Sequence, residues 1–451
     1  MDLLWTDQWY LILIGISLIT IAFNLRKKPF RQSCLYLIYN PIALSAGIIL
    51  IFFLLISVLD SIHFRTSEKE GKNDLVSLLD KLMAPVGQMY EKTYSAPLAL
   101  KLYSIETEIV NGKAKQIYPK LQYPPADIKT PAQKHQFIMS LFKKSLIQSV
   151  LAFTIFIILA GFICWTFKLI KKNTLPASFI AGLITLFLCL FFLFFSYWLS
   201  RYFHLFGTGK IGQDIFYYTV KSIRTGLIIG TLTTLFMLPL AIVCGIAAGY
   251  FGGLIDDIIQ YVYTTLSSIP GVLLITASVL SMQTYIANHP EQFSTLQESA
   301  DARLLAFCLI LGVTSWTSLC RILRAEALKL REIDFVLAAK ALGSSSWRIL
   351  YKHLLPNVMP IVVINVVLDF SFLVLAEAVL SYVGVGVSPM TISWGNMINS
   401  ARLELAREPT VWWPMMAAFL FMFILVLVIN LFADAIREAF DPYRVRRERF
   451  N

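Results

Sequence analysis

The feature that most constrains this chain is a series of uninterrupted apolar runs, each close to the ~20 residues that cross a bilayer as a helix. The first two occupy roughly Trp9 to Leu25 and Ile42 to Leu59. Two more lie at about Leu146 to Phe167 and Leu175 to Leu199. The others are centred on Leu227 to Ala248, on the stretch SSIPGVLLI that carries Pro270, on Leu304 to Leu323, on Val358 to Val383 and on Trp413 to Ala433. Of 451 residues, 57% are hydrophobic and 15% charged. A soluble fold would need an implausibly large core to hide that much apolar surface. The expected fold class is an all-α polytopic membrane protein with about nine transmembrane helices.

The net charge is +11, but the basic residues cluster in short segments between runs. Arg26, Lys27, Lys28 and Arg31 follow the first run, Lys168, Lys171 and Lys172 the third, and RVRRERFN closes the chain. That distribution is the positive-inside bias, not a nucleic-acid footprint. It places these clusters in the cytoplasm, with the N-terminus outside and the C-terminus inside. MDLLWTDQ has no basic region before the first run, so that run is expected to anchor and not to be a cleaved signal. The six cysteines (Cys34, Cys164, Cys189, Cys244, Cys308, Cys320) form no CxxC pair or zinc spacing.

Residues 64 to about 143 are the one sizeable hydrophilic segment. Leu75, Leu78, Leu79 and Leu82 recur at helical spacing there, which predicts a short amphipathic helix. Tyr123-Pro124-Pro125 and Thr130-Pro131 break regular structure. The segment is either a small extracytoplasmic subdomain packed on the spans or a docking surface for an outside partner. The spans of the 146–203 hairpin, rich in Phe, Leu and Ile, are expected to anchor and not to line a pathway. In the Leu227 run, Gly226, Gly230, Gly245 and Ala247 permit close helix contact.

Several chemistries are excluded. GTGK at Gly207 to Lys210 lacks the earlier glycine and the following Ser/Thr of a phosphate loop, so the chain is expected to bind no ATP itself. There is no HExxH, no His/Cys metal cluster, and the five histidines (His63, His135, His204, His289, His353) are scattered. Neither a catalytic nor a metal role is expected.

The most distinctive polar stretch is FVLAAKALGSSSWRILYKHLLPN, Phe335 to Asn357. Ala338, Ala339 and Ala341 favour helix and let another surface come close. Gly343 permits a sharp turn. Ser344 is the expected N-cap of a second short helix, Ser345 to Leu354, which Leu355-Pro356 then closes. Such a helix-turn-helix between two spans is either a simple connector or a device that passes a partner's movement into the membrane. Within the spans, Asp369 and Glu377 are ionisable, and either line a pathway or make buried hydrogen bonds. Asn430, Asp434, Arg437 and Asp441 step by four, three and four, which makes a polar seam on one helical face. Trp394, Trp412 and Trp413 fit an interfacial aromatic belt.

Phe335 to Asn357 resembles the EAA loop of ABC-importer membrane subunits: small residues at Ala338-Ala339, a glycine at Gly343, then His353-Leu354-Leu355-Pro356. The wider pattern is similar to the dipeptide/oligopeptide permease branch. AGYFGG (Ala248 to Gly253), SIPG (Ser268 to Gly271), EAVLSYVGVG (Glu377 to Gly386), SWGNM (Ser393 to Met397) and AIREAFDP (Ala435 to Pro442) occur in that family's order. The resemblance covers about residues 205 to 443. It departs at Leu337, where the loop's glutamate is expected, and in GTGKIGQD, where Gly209 and Gln213 stand for an acid and an arginine of GTDxxGRD.

The resemblance implies a type I-like importer core of about six spans, its first in residues 1–63 and the others in 204–443, with the 335–357 segment as coupling loop. Residues 1–63 would supply an anchor and the first core span, 64–145 an insert, 146–203 an added hairpin and 444–451 a basic tail. It implies an inner-membrane permease for peptides, with a second homologous permease subunit, two ATPase subunits that hold ATP and Mg, and an extracytoplasmic binding protein. Ala338, Ala339, Ala341, Gly343 and the helix to His353 would then contact the ATPase, although His353 is equally an exposed interfacial residue. A nickel or antimicrobial-peptide importer is the alternative within this class. A secondary transporter or channel is the alternative outside it, and predicts intramembrane charges and an inverted repeat. A non-transporting scaffold that kept the fold is a third.

Overall fold

The computed structural model describes residues 4–65, 75–110, 113–125, 128, 130–166, 177–292 and 295–439. The Lys168 cluster, Asp441 and the 444–451 tail lie outside the described residues.

In chain order the elements are α1 (Trp5–Asn24), α2 (Lys28–Tyr39), α3 (Pro41–Ser61), strands β1 (His63–Arg65) and β2 (Leu75–Ser77), short helices α4 (Leu78–Leu82) and α5 (Ala84–Gly87), and strands β3 (Glu106–Val110) and β4 (Lys113–Ile117). Long helices follow: α6 (Pro131–Thr166), α7 (Ala177–Ser200), α8 (Ile215–Phe251), α9 (Gly253–Ser268), α10 (Gly271–Asn288) and α11 (Leu296–Arg331). The chain ends in α12 (Asp334–Ala341), α13 (Ser346–Ile349), α14 (Leu355–Val383), α15 (Trp394–Glu404) and α16 (Trp413–Ala439). Each strand pair is an antiparallel ribbon. Among the described residues, nine helices are long and apolar enough to cross a membrane. The chain is a multi-pass helical membrane protein.

The expected boundaries need four corrections. Pro270 is not inside a span: it sits between α9 and α10, and the preceding Ile269 is extended at φ −85, ψ 130. The proline ring disfavours helical geometry at the residue before it, so the expected sixth span is two helices. Leu75 is on a strand, and the helix after it, Leu78–Leu82, starts at a capping box between Ser77 and Asp80. The second helix of the 335–357 loop starts at Ser346, with Ser345 in place of Ser344 at its N-terminal boundary and no side-chain cap bond. Pro356 does not stop a helix. It lies in the first turn of α14, directly after a π-helical turn at Leu350–Leu354, and the span Ser346–Val383 runs on through both. A proline interior to an α-helix collides with the carbonyl four residues back; a wider turn there gives the ring room.

The described residues form two packed bodies, one of Arg31–Arg224 with Ile392–Phe432, the other of Leu3–Phe30, Thr225–Thr391 and the chain from Ala433. In the first, Asn40 caps α3 by accepting from the Ile42 and Ala43 amides. Gly182 lets α7 approach Leu44 of α3, and the Thr185 and Ser45 hydroxyls meet at 3.0 Å. Helices α6 and α7 pack through edge-to-face rings, Phe142 on Phe191 at 5.2 Å and Phe153 on Phe187 at 5.5 Å. Leu141, Leu199 and Phe203 form a buried cluster with Leu98, Leu100 and Ile128 of the 64–145 segment.

In the second body, small residues set how near the helices come. A Cβ on Gly245 of α8 would lie 2.8 Å from the Cys320 carbonyl oxygen of α11. One on Gly249 would lie 2.6 Å from the Ala327 Cβ. Gly230 receives the Phe370 ring of α14, while Gly312 of α11 admits the backbone of Thr233. Helix α1 is pinned to α11 where the Thr6 amide donates to Asp301 Oδ2 at 3.0 Å.

Candidate functional site

Three places carry the residues singled out above. The first is the segment from Asp334 to Asn357. Helix α12 ends in a left-handed Gly343 (φ 75). The Gly343 amide donates to the Lys340 carbonyl (3.0 Å) and the Ser344 amide to the Ala339 carbonyl (3.1 Å), the paired bonds of a Schellman turn. Nothing lies within 4 Å of a Cβ added at Gly343, so only its backbone angle calls for glycine.

One face of this helical pair is fixed in the protein. Val336, Ala339, Ile349 and Leu354 belong to the buried cluster that also holds Tyr263, Leu323, Ala327 and Leu330. Ala339 is therefore a core residue, whereas Ala338 and Ala341 are exposed. The other face is apolar and open: Leu342 is 86% exposed, Trp347 79% and Tyr351 76%. Exposed Lys340, Arg348 and Lys352 surround them. His353 is half-buried beside Phe335, with ring centroids 6.2 Å apart, and its carbonyl accepts from Asn357 (2.7 Å). Leu355 is half-buried and Pro356 exposed. Trp347 and Tyr351, four residues apart, were legible as large aromatics in a polar loop, yet motif reasoning passed over them.

Beneath this face, Arg324 grips Asp256 in a bidentate pair, Nε to Oδ1 at 2.5 Å and Nη2 to Oδ2 at 2.7 Å. These hydrogen bonds hold the Asp256 carboxyl below its ordinary range. Arg321 lies over the Tyr263 ring at 5.7 Å. The pair ties α9 to α11, and no local pattern in the sequence joins its two members.

The second place is the GTGKIGQD turn before α8. Gly207 (φ 72) and Gly212 (φ 76) are both left-handed, and side chains there would collide with the backbone of Ser95 and of Glu91. Thr208 donates its hydroxyl to the Thr93 carbonyl (2.8 Å), and its amide to the Ser95 carbonyl (3.0 Å). The Glu91 amide donates to Gly212 (3.0 Å), and the Trp413 indole to the Thr208 carbonyl (3.0 Å). Gln213 folds back over Gly209 and accepts from the Ile211 amide (3.0 Å), which is how the turn closes at the two departing positions.

Buried His204 stands between two buried acids, Nδ1 2.7 Å from Asp214 Oδ2 and Nε2 3.8 Å from Glu91 Oε1. The second distance is an ion pair and too long for a hydrogen bond. Burial opposes the imidazolium, but Asp214 and Glu91 outweigh it and push the group up to about 9. Asp214 also caps α8 by accepting from the Tyr217 amide (2.9 Å). Nearby, Lys221 reaches both Asp80 oxygens (2.6 and 2.7 Å). Burial raises the Asp80 carboxyl, yet the ammonium prevails and leaves it lowered. Among the described residues no group of three His, Cys, Asp or Glu could hold a metal ion. This turn is a polar lock.

The third place is α14. Glu377 is buried and accepts from the Ser381 hydroxyl at 2.8 Å, and Gly386 packs directly on Ser381. The EAVLSYVGVG pattern thereby has a local cause: the acid, the serine one turn later and the glycine of the following loop meet. Gly384 (φ 90) ends the helix with the Val385 amide donating to Leu380 at 2.9 Å. Asp369 is half-buried mid-helix and makes no hydrogen bond or ion pair among the described residues. The two acids thus have different surroundings.

Residues 241–446 match the family described as binding-protein-dependent transport system inner membrane component. The chain is 32% identical over 239 residues to the dipeptide transport system permease protein DppC of Lactococcus lactis, a match that spans 53% of this chain and 64% of that protein. It is 28% identical over 239 residues to the oligopeptide transport system permease protein OppC of Bacillus subtilis (53% and 72%). To a protein of Brucella suis provisionally assigned as a peptide permease it is 31% identical over 242 residues (53% and 73%).

Proposed function

The chain belongs to the family of inner-membrane components of binding-protein-dependent transport systems, and from that premise we propose that it is the permease subunit of an ATP-driven importer of di- or oligopeptides. On this reading it forms half of a translocation pathway in the bacterial inner membrane and holds no nucleotide. A second permease subunit completes the pathway, two ATPase subunits supply ATP hydrolysis, and a binding protein delivers the peptide.

The observation that carries the reading is the open aromatic face of α12–α13. Leu342, Trp347 and Tyr351 stand in solvent on a frame fixed by buried Val336, Ala339, Ile349 and Leu354. Large exposed aromatics ringed by charge mark protein interfaces. A rigid frame continuous with the span Ser346–Val383 passes a partner's displacement into the membrane, the rigid-body class of transition. Asp369 is the proposed pathway residue. An ionisable group in a membrane helix is costly unless protein or water meets it, and among the described residues nothing pairs with it.

Cysteine crosslinking in native membranes tests the proposal. Ala341→Cys, on the open face, captures an ATP-binding chain with a yield that changes on adding ATP, while buried Ala339→Cys does not. A correctly inserted Ala341→Cys protein that captures no such chain in either condition sinks it. Asp369→Asn lowers peptide uptake and leaves the crosslink intact; unchanged uptake removes Asp369 from the pathway.

A further inference from the structure

Residues 131–213 contain no aspartate or glutamate, yet they hold eight lysines and arginines. Two of these, Lys144 and Arg201, come together on the Trp198 ring where α6 passes the end of α7. Lys144 Nζ lies 3.4 Å from the centre of the Trp198 ring, and Arg201 Cζ lies 4.7 Å from the Tyr197 ring and 5.6 Å from Trp198. The Trp198 indole donates to Gln148 Oε1 at 2.6 Å, which fixes the ring. Lys143, Lys144 and Arg201 are exposed and form no ion pair among the described residues. From this belt the outer surface of the hairpin continues as pure hydrocarbon: Ile147 is 67% exposed and Leu151 58%, with Leu188 at 57% and Phe192 at 51% on α7.

We propose that Lys144 and Arg201, held on the Trp198–Tyr197 pair, form a binding site for the phosphate headgroup of an anionic phospholipid whose acyl chains lie along α6 and α7. The chemistry is complementary at each level. Uncompensated cations meet the phosphate, the Trp and Tyr rings sit at headgroup depth where such rings are favoured, and the apolar face meets the tails. A protein partner would have to desolvate both cations and supply acids to match them. A lipid supplies an anion and hydrocarbon in the same molecule. The aromatic pair restrains both cations before the lipid arrives, so less side-chain freedom is lost on binding. On this inference the hairpin is more than an anchor: it holds a lipid headgroup at its Trp198 end.

The test uses the full chain in nanodiscs, made either of phosphatidylcholine alone or with phosphatidylglycerol, and counts retained lipid by native mass spectrometry. The native chain is expected to retain phosphatidylglycerol in preference. Each cation contributes about five-fold near a membrane surface. The Lys144→Gln/Arg201→Gln double variant should therefore lose about twenty-five-fold of that preference, and Lys144→Arg should keep it. A native chain with no preference overturns the proposal without any variant. So does a double variant with an unaltered gel-filtration profile and the full preference. Displacement of the lipid by millimolar inorganic phosphate would assign the site to free phosphate, and a protein chain crosslinked to Lys144 in native membranes would assign it to a partner; either overturns the lipid reading.

Discussion

Two turns in this molecule use the same backbone device for opposite ends. Gly343, between α12 and α13, and Gly212, before α8, have nearly equal angles, φ 75 and φ 76. Around Gly343 there is open space, and the side chains beside it point apolar surface outward. Around Gly212 the Glu91 backbone closes in, and the Glu91 amide, His204 Nδ1 and Gln213 Oε1 find their partners within the protein. The first turn leaves something for a partner to cover, whereas the second consumes its own valences. Equal local conformation therefore says nothing about exposure or role, which depend on what the rest of the chain brings to the turn.

The largest expected effect separates the two glycines. Gly212→Ala drives a methyl into the Glu91 backbone and should cost about 4 kcal/mol or more, read as loss of folded protein in a detergent melt. Gly343→Ala meets no neighbour and should cost only the left-handed strain, about 1–2 kcal/mol. Equal losses at both sites would break the contrast.

Next is the charge within the closed turn. The pKa of His204 is raised in the folded chain, to about 9 against 6.5 for an ordinary histidine. Its stabilising contribution is therefore complete below about pH 6.5 and is lost as pH rises through about 9; its full size is on the order of 3 kcal/mol. Thermal melts of the native chain against pH should show that loss, and His204→Gln should flatten it. An unchanged profile in His204→Gln would show that the cation is not what closes the turn.

The open turn should fail differently. Trp347→Ala or Tyr351→Ala should weaken association with the proposed ATPase by about thirty-fold, near 2 kcal/mol for an interfacial aromatic, while the melting temperature stays put. A drop in melting temperature with normal association would recast both rings as structural. The smallest effect is expected at Ala341→Ser, which adds one exposed hydroxyl and should shift stability by less than about 0.5 kcal/mol; a large shift would show that the face is covered within the chain.

How much of this was legible varies with the range of the interaction. The spans were legible from apolar length, because a bilayer imposes that length wherever a helix crosses it. Their ends were not: α6 begins at Pro131, fifteen residues before the expected Leu146, because its first turns carry Lys134, Lys143 and Lys144 and pack on protein at Leu141. The order of the 335–357 motif was legible in small residues, glycine and proline. The burial of Ala339 was not, since neighbouring alanines look alike until the helix is set against Tyr263 and Leu330. His204 read as one of five scattered histidines; Glu91 and Asp214 flank it only because the 64–145 segment folds onto the turn. Asp369 and Glu377 were both visible as intramembrane acids; burial and the Ser381 hydroxyl, set by the fold, tell them apart.

The π-helical turn at Leu350–Leu354 sets the rotational phase of the open face about the α14 axis. A π turn holds one more residue than an α turn, and one residue is about 100° of rotation. Tightening this turn to α-helical pitch would swing Trp347 about the α14 axis through roughly a quarter of a revolution while displacing the membrane span along its length by only ~1.5 Å. One residue in the turn therefore decides which way the open face points around the span. Deleting Leu350 should change that phase, detectable as a changed set of crosslinks from position 347.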